Sequence, residues 1–339
     1  MPRRTAFVLG ALLALAAAAK ADTNYANQVL QIGVGARALG MGGANVAVAD
    51  DSSATYWNPA GLPGIKDVDL QIIQQATQNS TLALDTNGVG SQYTFVSGGW
   101  TPGSWGSLGL AIMRFGVSGI PQVSATTNAD GSPNQEGTFS ESDWAVLLGY
   151  GKQIIPGISA GLTAKILMGG TSGLTADASN GITGDSNYSY FGADLGVLVK
   201  FGAWVPALEG LNFGLNLQDV ANGGVKWSSS STSDQVDMNA KTGLAYTLPF
   251  DVLRDNGFKV TAALDADPEY STLMHYGAEL WYKETLALRA GVRDFTSGQQ
   301  GSEVSYGLGL KLFKMIEFDY AYINYELTPI QYASLQLTF

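Results

Sequence analysis

Cysteine is absent from the sequence, and histidine occurs once, as His275. Without cysteine the chain can form neither a disulfide framework nor a thiolate metal site. A single histidine also leaves too few nitrogen ligands for a transition-metal site, because such sites usually combine several imidazole or thiolate groups. The sequence therefore predicts neither a bound metal nor another cofactor.

Charged residues are also scarce. They make up 14% of the chain, whereas about 25% is usual in soluble proteins. The formal net charge is −11, which argues against a nucleic-acid partner because phosphate backbones require a basic protein face. No helix-length apolar run occurs after residue 21. This composition favours a membrane protein that spans the bilayer with strands, with an apolar outer wall and a polar inner wall.

One catalytic motif is matched by its residues but not by their surroundings in the sequence. Residues 157–161 read Gly-Ile-Ser-Ala-Gly, which is the Gly-x-Ser-x-Gly pattern of a nucleophile elbow. That motif requires a strand, a strained turn and a helix, with a histidine base nearby. Here the pattern begins a candidate strand, and the single histidine belongs to a different candidate strand. The sequence therefore predicts a protein that is not an enzyme.

Residues 1–21 have the features of a secretory signal peptide. Arg3 and Arg4 precede an apolar stretch at 6–19, and Ala-Lys-Ala at 19–21 forms a small-x-small cleavage site. The apolar stretch is too short for a comfortable membrane span, which needs roughly 20 apolar residues. We predict that these residues are removed on export.

Short segments of alternating polarity follow residue 67. In 303–312 one face carries Val304, Tyr306 and Leu308, and the other carries glycine, serine and charged residues. This period of two is typical of strands in a barrel wall. The other candidate strands are 68–76, 92–100, 106–115, 142–152, 158–168, 190–201, 211–218, 240–248, 257–265, 275–282, 285–293, 315–322 and 331–339. Residues 67–339 are therefore predicted to form an all-β, transmembrane, antiparallel barrel of about 14 strands.

The links between these candidate strands alternate in length. Long links lie at 77–91, 116–141, 169–189, 219–239, 266–274 and 294–302, and shorter links at 101–105, 153–157, 202–210, 249–256, 283–284 and near Lys314. Outer-membrane barrels have short periplasmic turns and longer outer loops, so both ends of the barrel chain are predicted to be periplasmic. Acidic, Asn and Gly residues at 126–143 and 175–189 leave calcium binding open as an alternative to solvated loops.

Aromatic residues gather near the strand ends, for example Trp100, Tyr150 and Tyr282. Interface girdles produce this pattern, although the rim of a soluble β-sandwich would also produce it, and that alternative stays open. The chain ends on Phe339 in an alternating strand, which resembles the signal read by the bacterial outer-membrane assembly machinery. We therefore predict the outer membrane of a Gram-negative type of bacterium, with its lipid and that machinery as partners.

The stretch 33–62 has neither strand alternation nor a long helical period. Its glycines allow close backbone approach, Asp50 or Ser52 could cap a short helix that runs toward Trp57, and Pro59 ends that helix. Residues 22–66 are therefore predicted to form an N-terminal plug, or hatch, in the barrel lumen. Arg37 is expected to meet a lumenal carboxylate, the candidates being Asp194, Glu279, Glu317 and Asp319.

This stretch resembles the N-terminal segment shared by the FadL-like and PorV/PorQ families of outer-membrane proteins. The sequence of residues 37–42, Arg-Ala-Leu-Gly-Met-Gly, is more similar to the PorV/PorQ family than to the fatty-acid transporters. The residues that carry the resemblance are Gly33, Gly35, Arg37, Gly40, Gly42, Gly43, Asp50, Asp51, Trp57, Asn58, Pro59, Ala60 and Gly61. The resemblance implies a fourteen-stranded barrel whose N-terminal segment folds into the lumen.

Two functions follow from the resemblance. FadL-like members pass hydrophobic molecules, such as long-chain fatty acids, past that segment and sideways through the wall. PorV-like members act with proteins of the type IX secretion system through their outer loops. A lumen lined by apolar residues and open to the wall would favour transport, which we expect first. For a lateral opening we consider Gly106, Gly109 and Gly116, because glycine weakens a strand and permits kinks.

Overall fold

The computed structural model describes residues 28–75, 90–128, 130–176, 184–221, 224–228, 233–249, 251–268, 273–295, 301–325 and 329–339. The predicted signal peptide at 1–21 lies outside the described residues, as does most of the link at 77–91.

Sixteen strands are present in the described residues. They are β1 (Val68–Gln75), β2 (Gly90–Trp100), β3 (Ser107–Thr127), β4 (Pro133–Ile155), β5 (Ile158–Ser172), β6 (Asn187–Lys200), β7 (Leu211–Gln218), β8 (Gly224–Trp227), β9 (Ser233–Gln235), β10 (Asn239–Thr247), β11 (Phe258–Asp267), β12 (Leu273–Tyr282), β13 (Leu286–Phe295), β14 (Glu303–Leu312), β15 (Ile316–Asn324) and β16 (Ile330–Thr338).

Fourteen of these strands pair in a closed antiparallel cycle. Each pairs with the next barrel strand along the chain, and β1 pairs with β16 to close the wall. The other two strands, β8 and β9, form a hairpin outside this cycle, and β8 pairs with Tyr188 and Ser189 near the start of β6. In the cycle itself, β7 therefore pairs directly with β10. The predicted fourteen-stranded antiparallel barrel is confirmed.

Side chains alternate between the two faces of the wall, as the period of two requires. In β14 the side chains of Tyr306 and Leu308 are 57% and 56% exposed, whereas Ser305 is buried. Exposed apolar residues recur on the outer face of nearly every barrel strand, and aromatic residues such as Trp100, Trp105 and Tyr150 lie near the strand ends. An apolar outer band with aromatic borders is the surface of a transmembrane barrel.

The barrel has a short-turn end, where β1 begins and β16 ends, and a loop end opposite to it. Val68 and Phe339 exchange backbone hydrogen bonds at the short-turn end. The predicted loop at 116–141 is wrong, because β3 continues to Thr127 and β4 starts at Pro133. This part of the hairpin carries little apolar alternation, so the sequence pattern that marked the other strands was missing.

The predicted lateral opening is contradicted by the pairing of β3. Residues 108–117 are paired without a register shift to β2 on one side and to β4 on the other. Gly109 instead faces inward, where an added Cβ would collide with Thr55 Oγ1. Gly106 lies in the turn before β3 with φ +115°. These glycines therefore serve packing and turn geometry.

The helices of the described chain are short. They are α1 (Ala36–Gly40), α2 (Ala54–Trp57) and α3 (Asp251–Asp255), with 3₁₀ turns at Gln28–Gln31, Pro59–Gly64, Gly103–Trp105, Phe201–Ala203 and Pro206–Leu208. Within the described ranges, no helix is both long enough and apolar enough to cross a membrane.

The outer band generates a prediction about stability. Leu110 lies between Leu108 and Ile112 on the outer face of β3 and is 46% exposed. Leu110→Arg places a charge in the middle of this band and should lower the free energy of unfolding in lipid vesicles by about 2–4 kcal/mol. Urea unfolding followed by tryptophan fluorescence measures this change.

Trp105→Arg is the matched control, because Trp105 is 82% exposed in the turn before β3. Its cost should be about 0–1 kcal/mol, as at a membrane interface. Equal losses for the two variants would contradict the assignment of this face to lipid.

Candidate functional site

Residues 28–65, here called the N-terminal segment, lie inside the barrel. Tyr93 Oη on β2 donates to Gly33 O at 2.7 Å, and Asn216 Nδ2 on β7 donates to Trp57 O at 3.1 Å. Ser305 Oγ on β14 accepts from Gly42 N at 2.9 Å. Because these three strands are well separated around the closed wall, the segment that they all bind occupies the lumen.

Two glycines allow the segment to touch the barrel backbone. An added Cβ at Gly40 would stand 2.9 Å from Gly307 Cα, and one at Gly42 would stand 2.7 Å from Val292 N. Gly42 also has φ +68°, a conformation that residues with a side chain rarely adopt. Any larger residue here would push the segment away from β13 and β14.

The run 57–61 ends α2 and ties the segment to itself and to the wall. Asn58 is extended, with φ −169°, as the residue before proline favours. Its Oδ1 accepts from Ala60 N at 3.1 Å, and its Nδ2 donates to Val46 O at 2.9 Å and to Val197 O at 3.1 Å. Trp57 Nε1 donates to Val34 O at 2.9 Å. Both hydrogens of the Asn58 side-chain amide are therefore used. The Trp57–Val34 hydrogen bond holds the residues before α1 against the end of α2.

The predicted cap of α2 is wrong. Ser53 occupies the N-cap position and makes no side-chain cap hydrogen bond. Asp51 Oδ1 instead accepts from Ser53 N at 2.8 Å and from Ser53 Oγ at 2.5 Å. Burial raises the pKa of Asp51, and the neighbouring Asp69 carboxylate raises it further.

Arg37 joins the segment to a charged group on the inner wall. Its Nε lies 2.9 Å from Glu279 Oε2 and its Nη1 lies 2.7 Å from Asp50 Oδ1. Burial opposes the charge, but these two carboxylates raise the pKa of Arg37 above its ordinary value. Of the four carboxylates considered for Arg37 from the sequence, it therefore binds Glu279.

Arg289 is the centre of that charged group. Its guanidinium lies 2.7 Å from Glu279, 2.6 Å from Asp319 and 3.3 Å from Glu317. The Arg289 side chain is fully buried, and it also lies over the Trp281 ring at 5.3 Å. Buried charges are tolerated when they are paired and hydrogen-bonded, so this arginine is what allows three carboxylates on β12 and β15 to face inward.

Two more buried polar groups hold the segment. Asp265 Oδ2 on β11 accepts from Asn45 N at 2.6 Å and from Val46 N at 2.8 Å. His275 Nδ1 on β12 lies 2.6 Å from Gly42 O. The sequence placed His275 only in a candidate strand, and the structure brings its ring into contact with the segment.

The opposite part of the inner wall is apolar. Large buried side chains face inward from β15 and β16 through β1 to β5, on the half of those strands toward the loop end. We call this surface the apolar wall; it consists of Ile73, Tyr93, Phe95, Met113, Leu147, Leu167, Ile323 and Tyr332. Residues 28–35 of the segment, here called the arm, pack against this cluster with Leu30, Ile32 and Val34, and the rest of the segment packs against it with Leu39, Tyr56, Trp57, Leu62 and Ile65.

Sequence reasoning missed the apolar wall, because it expected polar residues inward. A signal for it was present. Candidate strands 92–100, 142–152 and 158–168 alternate less clearly than the others because both of their faces are apolar, as in Ile166-Leu167-Met168. All thirteen residues that carry the N-terminal resemblance lie in the segment, and none belongs to the apolar wall.

Comparison with known proteins shows similarity of fold. No protein-family model matches the sequence, and no curated protein matches it. Among solved structures, a Ralstonia pickettii toluene transporter, TbuX, aligns with a TM-score of 0.62 and 12% identity over 91% of this chain and 98% of its own. The Pseudomonas putida toluene transporter TodX aligns with a TM-score of 0.55 and 13% identity over 90% and 96% of the two chains. A Pseudomonas aeruginosa FadL homologue has a TM-score of 0.50 at 11% identity, covering 87% and 95%.

The close approach of the segment to β14 generates a second prediction. Gly40→Ala adds a Cβ against the Gly307 backbone and should lower the free energy of unfolding by about 1–3 kcal/mol, the cost of overpacking. It should also make the segment more accessible to limited proteolysis. Gly137→Ala is the control, since an added Cβ there has nothing within 4 Å. A Gly40→Ala protein as protease-resistant as this control would contradict the close contact.

The charged group generates a third prediction. Arg289→Met leaves Glu279, Glu317 and Asp319 without their shared partner and should cost about 3–5 kcal/mol in the free energy of unfolding. Arg254→Met removes an exposed ion pair with Glu209, separated by 2.8 Å, and should cost about 0–1 kcal/mol. Urea unfolding of both variants measures the difference; similar losses would show that Arg289 does not organise the inner wall.

Proposed function

We propose that this protein is a non-enzymatic outer-membrane barrel that passes small hydrophobic molecules, of the long-chain fatty-acid type, past its N-terminal segment. The apolar wall carries this proposal. The inner wall of a water-filled barrel is polar, whereas here Phe95, Met113 and Leu147 face inward from adjacent strands. Such a surface offers an apolar solute a path that water-filled pores do not.

The N-terminal segment acts as the plug in this proposal. Its body, residues 36–65, is anchored by Arg37 and by the run 57–61, while the arm lies directly on the apolar wall. Gly33 and Gly35 have φ +82° and +86° and flank the arm's last apolar residue, Val34. A change of backbone conformation at these two glycines would break the Trp57–Val34 hydrogen bond, lift the arm and expose the part of the wall beneath it, while the body stays anchored by Arg37 and Asn58.

The solved structures with this fold support the class of solute. Two of them are described as toluene transporters, and toluene, like a fatty-acid chain, is apolar. Because residues 108–117 of β3 are paired on both sides, we propose a route along the lumen, with release depending on movement of the arm.

The same proposal includes the route to the membrane. The signal peptide at 1–21 would direct export, and Phe339, exposed at the end of the last barrel strand, would be read by the outer-membrane assembly machinery. The final position is the outer membrane of a Gram-negative type of bacterium.

The decisive experiment is uptake of a labelled long-chain fatty acid by liposomes that contain the purified barrel. Deletion of residues 22–35 removes the arm and should raise the uptake rate above that of the intact protein. The paired variant Ser52→Cys with Ser97→Cys is the matched control for the body, because the two Oγ atoms lie 2.7 Å apart and the chain has no other cysteine. In its oxidised form the body is held to β2, and uptake should equal that of the reduced form.

Loss of uptake on oxidation would contradict arm movement and show that the body must move. Absence of uptake by both the intact and the arm-deleted protein, with the barrel folded, would contradict the transport proposal.

A second candidate function is that of a PorV/PorQ-type accessory protein in type IX secretion. The motif at 37–42 favours it, and so does the extension of β3 and β4 at the loop end, where residues 118–128 and 130–140 belong to a polar hairpin. Replacing that hairpin by a short turn would abolish surface delivery of secreted proteins under this function, and would leave fatty-acid uptake unchanged under the first one.

A further inference from the structure

A continuous row of outward-facing side chains crosses five strands near the loop end. Arg114 pairs with Trp144, and Trp144 pairs with Met168. Met168 pairs with Ser189, and Ser189 pairs with Lys226 of the β8–β9 hairpin. Residues directly opposite in a ladder share one face of the sheet, and these five side chains lie on the exposed outer face. The row therefore has a cation at each end and a tryptophan beside one of them.

This row separates two kinds of surface on the outer wall. On the side toward the short-turn end, the next outward residues include Ile112, Ile166 and Phe191, all exposed and apolar. On the side toward the loop end, the next outward positions are Ser142 and Gly170, which pair with each other. The row therefore lies where the apolar band meets the water-facing part of the barrel, at the level of lipid headgroups.

An open groove of about 690 Å³ lies along this boundary. Its lining includes the small residues Gly170 and Ser142 and the larger, outward-facing Trp144, Met168 and Lys226. The small residues leave room for a bulky polar group directly above an apolar surface. A groove of this shape suits a molecule with a large polar head and an apolar tail.

Two cations lie at this groove in an otherwise acidic protein. Lys226 lines it, and Arg114 lies beside it, with its guanidinium 5.4 Å from the centre of the ring of the lining residue Trp144, within the range of a cation–π contact. In the part of the chain that the structure describes, neither Arg114 nor Lys226 forms a salt bridge. At Cα level the two cations are four strand spacings, or about 19 Å, apart. Their long side chains can bend toward two anionic groups on one ligand.

We propose that this groove binds the phosphorylated headgroup of an anionic lipid of the outer leaflet. The lipid is a diphosphorylated glycolipid: Lys226 and Arg114 bind its two phosphates, the sugar part rests over Gly170 and Ser142, and the acyl chains lie along Ile166 and Phe191. A lipid is favoured over a free phosphate because the apolar surface begins directly beneath the cations. This site is on the outer wall and is independent of the transport proposed for the lumen.

The test uses native mass spectrometry of the full-length mature protein in detergent, titrated with lipid A, a diphosphorylated glycolipid. The wild-type protein should bind one lipid more tightly than it binds the same lipid with its phosphates removed. The double variant Arg114→Gln with Lys226→Gln should bind lipid A about tenfold to thirtyfold more weakly, as expected when two cations near a lipid surface are lost.

The control is the double variant Lys152→Gln with Lys283→Gln, which removes two cations near the short-turn end, where Lys283 lies 5.2 Å from the Tyr282 ring. It should bind lipid A as the wild type does. Equal weakening in both double variants would overturn the site and indicate a general charge effect. Equal affinity for the dephosphorylated lipid, or full competition by inorganic phosphate, would overturn the proposed lipid ligand. Circular dichroism and heat-modified electrophoresis confirm that each variant is folded.

Discussion

The pairing of one buried arginine organises the charged half of the lumen. Arg289 faces three carboxylates from β12 and β15, at a place where water is largely excluded. Each carboxylate alone would be costly to bury, and the guanidinium offsets that cost for all of them because it has five donors in one plane. Glu279 then has a second side open to Arg37. The N-terminal segment is therefore attached to the wall through Glu279, the same carboxylate that Arg289 pairs with inside the wall.

The lumen is divided, and the segment matches both halves. Its backbone and Arg37 face the charged strands, where Gly40 and Gly42 allow main chain to meet main chain. Its arm faces the apolar wall with Leu30, Ile32 and Val34. Ion pairs and several hydrogen bonds thus hold the body, whereas the arm is held mainly by non-directional apolar packing and by hydrogen bonds from Tyr93, Tyr56 and Trp57 to its carbonyl groups. The part with fewer directional contacts is the part that the proposed transport must move.

Several features of this architecture were predictable because they are local. Alternation in segments such as 303–312 follows from the geometry of a single strand next to lipid, and it led to the number of strands and to the position of the short turns. The alternating pattern was weak or missing wherever a strand did not have one face against lipid and a polar face inward. The ends of β3 and β4 extend beyond the apolar band and need no lipid-facing side chains. The strands of the apolar wall are apolar on both faces, so their inward residues were hidden in untidy patterns. The expectation that Gly109 marks a lateral opening was wrong, because the missing side chain at this position makes room for Thr55 of the segment.

The sequence by itself determined an all-β membrane barrel, an inward-folding glycine-rich segment, and Arg37 as that segment's charged residue. Periodicity, composition and backbone freedom are properties of short stretches, so they can be read without knowing the neighbours. Only the tertiary structure decided that Glu279 is the partner of Arg37, that His275 meets Gly42, and that one side of the lumen is apolar. These facts depend on the register of strands far apart in the chain and on the stagger of the closed wall, which no local pattern specifies.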